Sequence, residues 1–325
     1  PQDGRDVDSL MKNADLALSR AKQEGAGACV LYRHELHLRA IERNSIERDL
    51  RTAIAKRELT LFYQPKVDAV TGRMTGAEAL IRWRHEERGF ISPAVFIPVA
   101  ERCGLIVPLT KWVLDEACRQ NREWQVQGLP KIGIAVNVSA IDLRRTDLTD
   151  TIANTLIERE LSPHYLELEI TESMVMQDVD MVIGTLRRLR SLGISISIDD
   201  FGTGYSSLAY LKRFPVKRLK IDRSFICDVA DKRDGNVIPK VIIDLAHALG
   251  MTVIAEGVET ANQYNILRDL GCDEIQGYFT GRPMPAAEFE VFLRNAPAGK
   301  PDSDAATPPG VAARSTLAGL RGSAA

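Results

Sequence analysis

The sequence lacks the residues that would commit it to several common classes. Its five cysteines, Cys29, Cys103, Cys118, Cys227 and Cys272, form no CxxC pair and are odd in number. That argues against a disulfide framework or a cysteine zinc site and for a reducing compartment, the cytoplasm. Five histidines, none spaced with a cysteine or another histidine at a strand end, offer no imidazole metal centre. No apolar run approaches the ~18 residues of a membrane span, and no signal peptide is visible. Neither sign of charge dominates: 42 Lys and Arg stand against 44 Asp and Glu, a net charge of −2. Polymeric nucleic acid and anionic membrane are therefore not expected partners of this segment. The chain starts at Pro1 without methionine, which leaves room for an upstream membrane anchor or sensor.

What is present suits a soluble globular protein of 325 residues, with 45% apolar and 26% charged residues. From Leu59 onward, strand and helix patterns alternate. The strand candidates are Leu59–Val67, Gly76–Trp83, Ile132–Val138, Leu166–Ile170, Ile194–Asp199, Arg218–Asp222, Thr252–Ala255 and Glu274–Gly277. Met181–Leu192 and Val237–Leu249 are amphipathic helices, and Ser92-Pro93 is a good start for another. Eight strands with intervening helices over roughly 240 residues predict an α/β fold, a TIM-type (β/α)8 barrel, with an open doubly wound sheet as the alternative. The turn from Asp68 to Arg73, with Gly72, is too short for a crossover helix, so the first two strands should pair antiparallel. Upstream, Asp8–Glu24 reads as a helix stopped by Gly25, Cys29–Tyr32 as a short strand, and Leu38–Arg57 as a helix with Ile41, Ile46, Leu50 and Ile54 on one side. Residues 296–325, rich in Ala, Gly, Pro and Ser, read as a disordered tail.

The most informative stretch is the buried strand through Ile198 that runs into Asp199-Asp200-Phe201-Gly202-Thr203-Gly204. Two adjacent carboxylates repel, and burying them is costly unless a cation neutralises them. Other polar groups end other strands: Glu78, Asn137, Glu169, Glu172, Lys220, Asp222, Glu256, Glu259 and Gln276. In a barrel these ends share one rim, where barrel active sites lie. Carboxylates and an amide oxygen suit Mg²⁺ or Mn²⁺, and adjacent aspartates can share two ions for in-line displacement at phosphorus. Each residue alone has a plainer explanation. Glu172 could cap a helix starting near Ser173, Lys220 could pair with Asp222, and Asn137 could sit in a turn. The conjunction across six strands favours an active site.

The segment Gly76-Ala77-Glu78-Ala79-Leu80-Ile81-Arg82-Trp83 resembles the signature of the EAL-domain family, the cyclic di-GMP-specific phosphodiesterases. In order, Tyr63-Gln64-Pro65, Asn137-Val138-Ser139, Glu169-Ile170-Thr171-Glu172, the Asp199-Asp200 segment, Leu219-Lys220-Ile221-Asp222, Ala255-Glu256-Gly257-Val258-Glu259 and Gln276-Gly277-Tyr278 also match. Ala14-Asp15-Leu16-Ala17 and Arg20-Ala21-Lys22 resemble the last helix of a GGDEF (diguanylate cyclase) domain, whose signature is absent. The resemblance divides the chain into a C-terminal GGDEF-like remnant (1–37), an EAL domain with its N-terminal linker helix (38–295) and the tail.

The resemblance implies a barrel with an antiparallel first strand, and hydrolysis of one 3′,5′-phosphodiester of cyclic di-GMP to linear pGpG. Glu78, Asn137, Glu169 and Asp199 would hold one Mg²⁺ or Mn²⁺, and Asp199 with Asp200 the second; Ca²⁺ would inhibit. Glu78, Lys220 and Glu256 form the expected catalytic set, with Glu256 binding a water and Lys220 orienting or deprotonating the attacking one. Gln64, Leu80, Arg82, Asp222, Gln276 and Pro283 would contact substrate. Glu172 and Glu259 would anchor the loop after Asp200, and that loop would carry a homodimer contact. The competing reading, a silent cyclic di-GMP receptor, predicts lost metal ligands or a degenerate loop, and both are intact in this sequence.

Overall fold

The computed structural model describes residues 6–25, 27–56, 58–176, 178–204, 208–230 and 234–295. All eight strands predicted from Leu59 onward form. The first, β1 (Leu59–Asp68), turns back into β2 (Met74–His85) through a loop in which Asp68 Oδ1 accepts from Thr71 N at 2.6 Å. Gly72 takes φ +68° there, a conformation that glycine adopts without steric cost. The two strands are antiparallel, as the short turn requires.

β3 (Gly89–Ile91) is a short addition to β2. Then β4 (Gly133–Asn137), β5 (Leu166–Thr171), β6 (Ser195–Phe201), β7 (Arg218–Ile221), β8 (Thr252–Ala255) and β9 (Glu274–Gln276) follow, parallel to one another and to β2. β1 bonds to both β2 and β9 and so closes the barrel. That double pairing rules out the open sheet. β10 (Met284–Pro285) pairs antiparallel with Phe62 and Tyr63 of β1, on the edge that β9 uses further along. β3 and β10 are two or three residues long, too short to leave a pattern in the sequence.

Strand alternation sorts the side chains. Tyr63 on β1 packs outward against Trp124 and Phe289 of the surrounding helices, at ring separations of 4.9 and 5.8 Å. Its neighbours Gln64 and Lys66 share the opposite parity and enter the barrel. A second apolar cluster forms where the helix His34–Lys56 docks Ile46, Leu50 and Ala53 against Trp83 and Phe96. The predicted stripe holds only in the second half of that helix, since Ile41 is exposed.

Upstream, the helix Val7–Glu24 is capped by Asp6, whose carboxylate accepts from Ser9 N. Cys29–Tyr32 is not a strand. The segment finds no sheet edge to pair with, and apolar residues alone do not make a strand without a partner's backbone groups. The expected tail, 296–325, lies outside the described residues. Among the described residues no helix is long and apolar enough to cross a membrane.

Candidate active site

The inward positions of the barrel are mostly polar. β5 contributes Glu167 and Glu169, β6 Ser197 and Asp199, β7 Arg218 and Lys220, and β9 Glu274 and Gln276. Lys220 is the hub. Its Nζ lies 2.9 Å from Glu169, 3.2 Å from Asp199 and 3.7 Å from Glu78, and it touches Glu256. Burial works against its charge, but Glu169, Glu256, Glu78 and Asp199 together hold its pKa well above the ordinary lysine value. The expected alternative pairing with Asp222 does not form. Asp222 instead caps the short helix Arg223–Ile226 through Ser224 N.

The amides fix Glu78 between them. Gln276 Nε2 donates to Glu78 Oε2 at 2.6 Å and to Gln64 Oε1 at 3.1 Å. Asn137 Nδ2 donates to Glu78 Oε1 at 2.8 Å, so Asn137 is a strand-end residue aimed at the site and not a turn residue. Gln64 reaches on to the carbonyl of Gly281.

Adjacent residues of a regular strand point to opposite faces, so Asp199 and Asp200 should diverge. They do not, because Asp200 takes the left-handed conformation (φ +54°) where the register of β6 on β7 shifts. Such an irregularity re-aims a side chain. Asp200 N donates to Asp199 Oδ1 at 2.9 Å, and carboxylate oxygens of Asp199, Asp200 and Glu256 all lie within 4.8 Å of one another.

Burial, reinforced by neighbouring carboxylates, raises the pKa of Glu78, Asp199 and Asp200, and that of Glu256 well above the ordinary range. For Asp200 the neighbour is chiefly Asp222. Burial pushes Glu169 upward too, but Lys220 and Lys66 overcome it and hold this carboxyl at about 2.

Sequence reasoning missed the lower layer of this network. Lys66 Nζ lies 2.7 Å from Glu169 and 3.8 Å from Glu167, and Arg218 bridges Glu167 and Glu274. The signal was available in strand parity: Lys66 follows Gln64, Glu167 precedes Glu169, and Arg218 precedes Lys220, each by two residues. Among the described residues the connected cluster holds seven carboxylates (Glu78, Glu167, Glu169, Asp199, Asp200, Glu256 and Glu274) against three cations, Lys66, Lys220 and Arg218. With every carboxylate ionised it is four positive charges short, which is the condition that raises the pKa of several of them. Two divalent cations would offset that deficit, and the donors are all oxygens, the set that hard cations prefer. The residues fit such ions.

The loop after Asp200 is tied to Glu172. This residue opens the short helix Glu172–Val175, is 3% exposed, and its Oε2 accepts from Gly202 N at 2.8 Å. A Cβ on Gly204 would stand 3.0 Å from Glu172 Oε1, so the loop passes directly over the carboxylate. The contact is with the Gly202 backbone and not with Thr203, whose hydroxyl donates to Asp200 O. Tyr205, Ser206 and Ser207, the next residues of the loop, lie outside the described residues. Glu259 pairs with Arg223 at 2.8 Å, apart from Glu172.

Beside the metal-type cluster, a cleft of 290 Å³ is lined by Leu80, Arg82, Asn137, Thr171 and Met174. The Arg82 guanidinium sits 5.5 Å over the Phe62 ring and donates to Ile81 O. Pro283 leads into β10, half-buried.

A protein-family model described as the EAL domain matches residues 47–283. The chain is 46% identical over 289 residues to the bifunctional diguanylate cyclase/cyclic di-GMP phosphodiesterase MucR of Pseudomonas aeruginosa, covering 89% of this chain and 42% of that protein. It is 43% identical over 294 residues to the cyclic di-GMP phosphodiesterase NbdA of the same organism, covering 90% and 38%. It thus spans about two fifths of the length of these curated relatives. A solved structure of the MucR phosphodiesterase in complex with c-di-GMP superposes with a TM-score of 0.73 at 48% identity, covering 75% of this chain and 99% of that one. With its signature residues gathered at one barrel mouth and its matched span covering most of the barrel, the chain belongs to the EAL domain family.

Proposed function

We propose that this chain is a cyclic di-GMP phosphodiesterase that hydrolyses one 3′,5′-phosphodiester bond to give linear pGpG. One observation carries the reading. The carboxylates of Asp199, Asp200 and Glu256 converge at the barrel mouth, joined through Lys220 to Glu78 and Glu169, in a chain 48% identical to a phosphodiesterase solved with c-di-GMP.

Glu78, Asn137, Glu169 and Asp199 would hold one Mg²⁺ or Mn²⁺, and Asp199 with Asp200 a second. Such ions, when bound, polarise the phosphoryl oxygens and make water a stronger nucleophile. The chain's own residues do the rest. Lys220, held protonated by four carboxylates, enters as a donor that orients the attacking water and offsets developing phosphate charge. Glu256, which contacts Lys220, binds and positions that water. Gln276 and Asn137 hold Glu78 in one orientation. Arg82 offers two parallel donors to a phosphate oxygen, a geometry lysine lacks. Gln64, Leu80, Asp222 and Pro283 complete the substrate contacts around the guanine and phosphate. Glu172 fixes the loop after Asp200, with Glu259 supporting the rim, and that loop carries a homodimer contact.

Residues 1–37 fit the remnant of a GGDEF-like domain. The helix Val7–Glu24 leaves Leu10, Met11 and Leu18 exposed, the apolar face a domain body would cover. The nucleotide substrate and the five unpaired cysteines support a reading in which the reaction runs in the cytoplasm.

The test is metal dependence. Mg²⁺ or Mn²⁺ should support pGpG formation, EDTA should abolish it, and Ca²⁺ should bind yet inhibit because its looser shell positions water poorly. Full turnover in excess chelator overturns the assignment.

A further inference from the structure

The opposite end of the barrel carries a second concave site. A cavity of 430 Å³ opens among the N-terminal ends of β7 and β8. Four cations line it, Arg190, Lys212, Lys217 and Arg218, and no carboxylate does. Arg190, Lys212 and Lys217 are exposed, and among the described residues none of the three has an ion pair. In a chain of net charge −2 this is a local concentration of one sign. A concave surface lined by one sign focuses its field on a bound counter-charge. The walls are not polar throughout, because Phe214 and Met251, both largely buried, line the same cavity. The volume falls within the ~300–1,000 Å³ range of small-molecule sites.

We propose that this cavity binds a nucleoside polyphosphate, with the phosphates on the four cations and the base against Phe214 and Met251. Several converging cations suit several phosphates, and an apolar wall suits a flat ring. Arg218 differs from the other three: it is partly buried and already shared between Glu167 and Glu274. Glu167 faces Lys66, and Lys66 holds Glu169. A phosphate that draws on Arg218 therefore acts on the carboxylate network from below. That coupling rests on the proposed hydrolysis; the binding does not.

Equilibrium binding of ATP and GTP to the whole chain tests the site without reference to turnover. Both should bind saturably. The double variant Lys212→Glu/Lys217→Glu should weaken them at least tenfold while keeping the wild-type melting temperature and its binding of cyclic di-GMP, which excludes the barrel mouth as the place of binding. Inorganic tripolyphosphate, which lacks a base, and GMP, which lacks two phosphates, should each bind at least tenfold more weakly than GTP. Absence of saturable nucleotide binding, equal binding by the double variant, or tripolyphosphate matching GTP would each overturn the proposal.

Discussion

Replacing Lys220 by methionine keeps the volume and removes the charge, so it isolates what the ammonium does. The side chain is 1% exposed and contacts Glu78, Glu169, Asp199 and Glu256. Removing one partner of a buried ionic cluster costs about 3–5 kcal/mol, because the remaining charges lose their compensation. Here the acids already outnumber the cations, so the upper part of that range applies. For a domain of this size each kcal/mol shifts Tm by ~2–4 °C, so the metal-free variant should melt roughly 8–20 °C below wild type. Mn²⁺ at 100 times its Kd adds ~2.7 kcal/mol to either protein, and it should narrow the gap by binding the variant more tightly, because there it brings the missing positive charge. The Lys220 pKa is raised in the folded state, so its stabilisation is complete at any pH below the ordinary 10.5 and fades only as pH climbs through the raised value. Turnover should fall ~10²-fold or more even with metal, because the donor is gone. Thermal unfolding in EDTA and in Mn²⁺, monitored by circular dichroism, reads the first part. A metal-free Tm equal to that of wild type would refute the reasoning.

Three further outcomes follow from other contacts. Glu172→Ala removes the acceptor of Gly202 N, a bond worth ~1.5–3 kcal/mol to the loop; turnover and the affinity for one metal should fall while global Tm moves little, and normal turnover would reduce the loop to a plain turn. Arg82→Lys should raise the cyclic di-GMP Kd roughly 10- to 150-fold and leave metal affinity unchanged, since a charged bond lost is worth ~1.5–3 kcal/mol; an unchanged Kd would remove the contact. Burial pushes the Cys118 and Cys272 thiols up to about 12, so thiol reagents at mildly alkaline pH should label exposed Cys29 and Cys227 and spare these two until unfolding. The unfolded chain releases those protons near the ordinary 9.0, so stability should drop by ~1.4 kcal/mol per pH unit for each thiol as pH climbs from there towards about 12.

The barrel and its rim were legible because each strand is short, apolar on alternate positions and ended by a polar group. The register of the closing pair was not, since nothing local in Lys66 or Gln276 says that these two residues lie side by side. The turn of Asp200 was hidden for a related reason: adjacency in sequence predicts divergence, and only the left-handed backbone brings both aspartates to one place. Lys66 reads as an ordinary strand lysine until the barrel puts it beside Glu169. Cys29–Tyr32 has strand composition but no partner, and pairing is a property of the whole molecule. The Glu172–Gly202 bond joins a helix start to a loop thirty positions away, which no periodicity encodes.

The most direct test of the central claim compares the wild-type chain with Asp199→Asn, both loaded with Mn²⁺ and supplied with cyclic di-GMP, with nucleotides separated by chromatography over time. Asp199 contributes to both proposed ion sites, so the account predicts steady accumulation of pGpG by wild type and none by the variant, although the variant still binds cyclic di-GMP through the cleft of Leu80 and Arg82. Binding without pGpG formation by the wild-type chain would contradict it and identify a receptor instead.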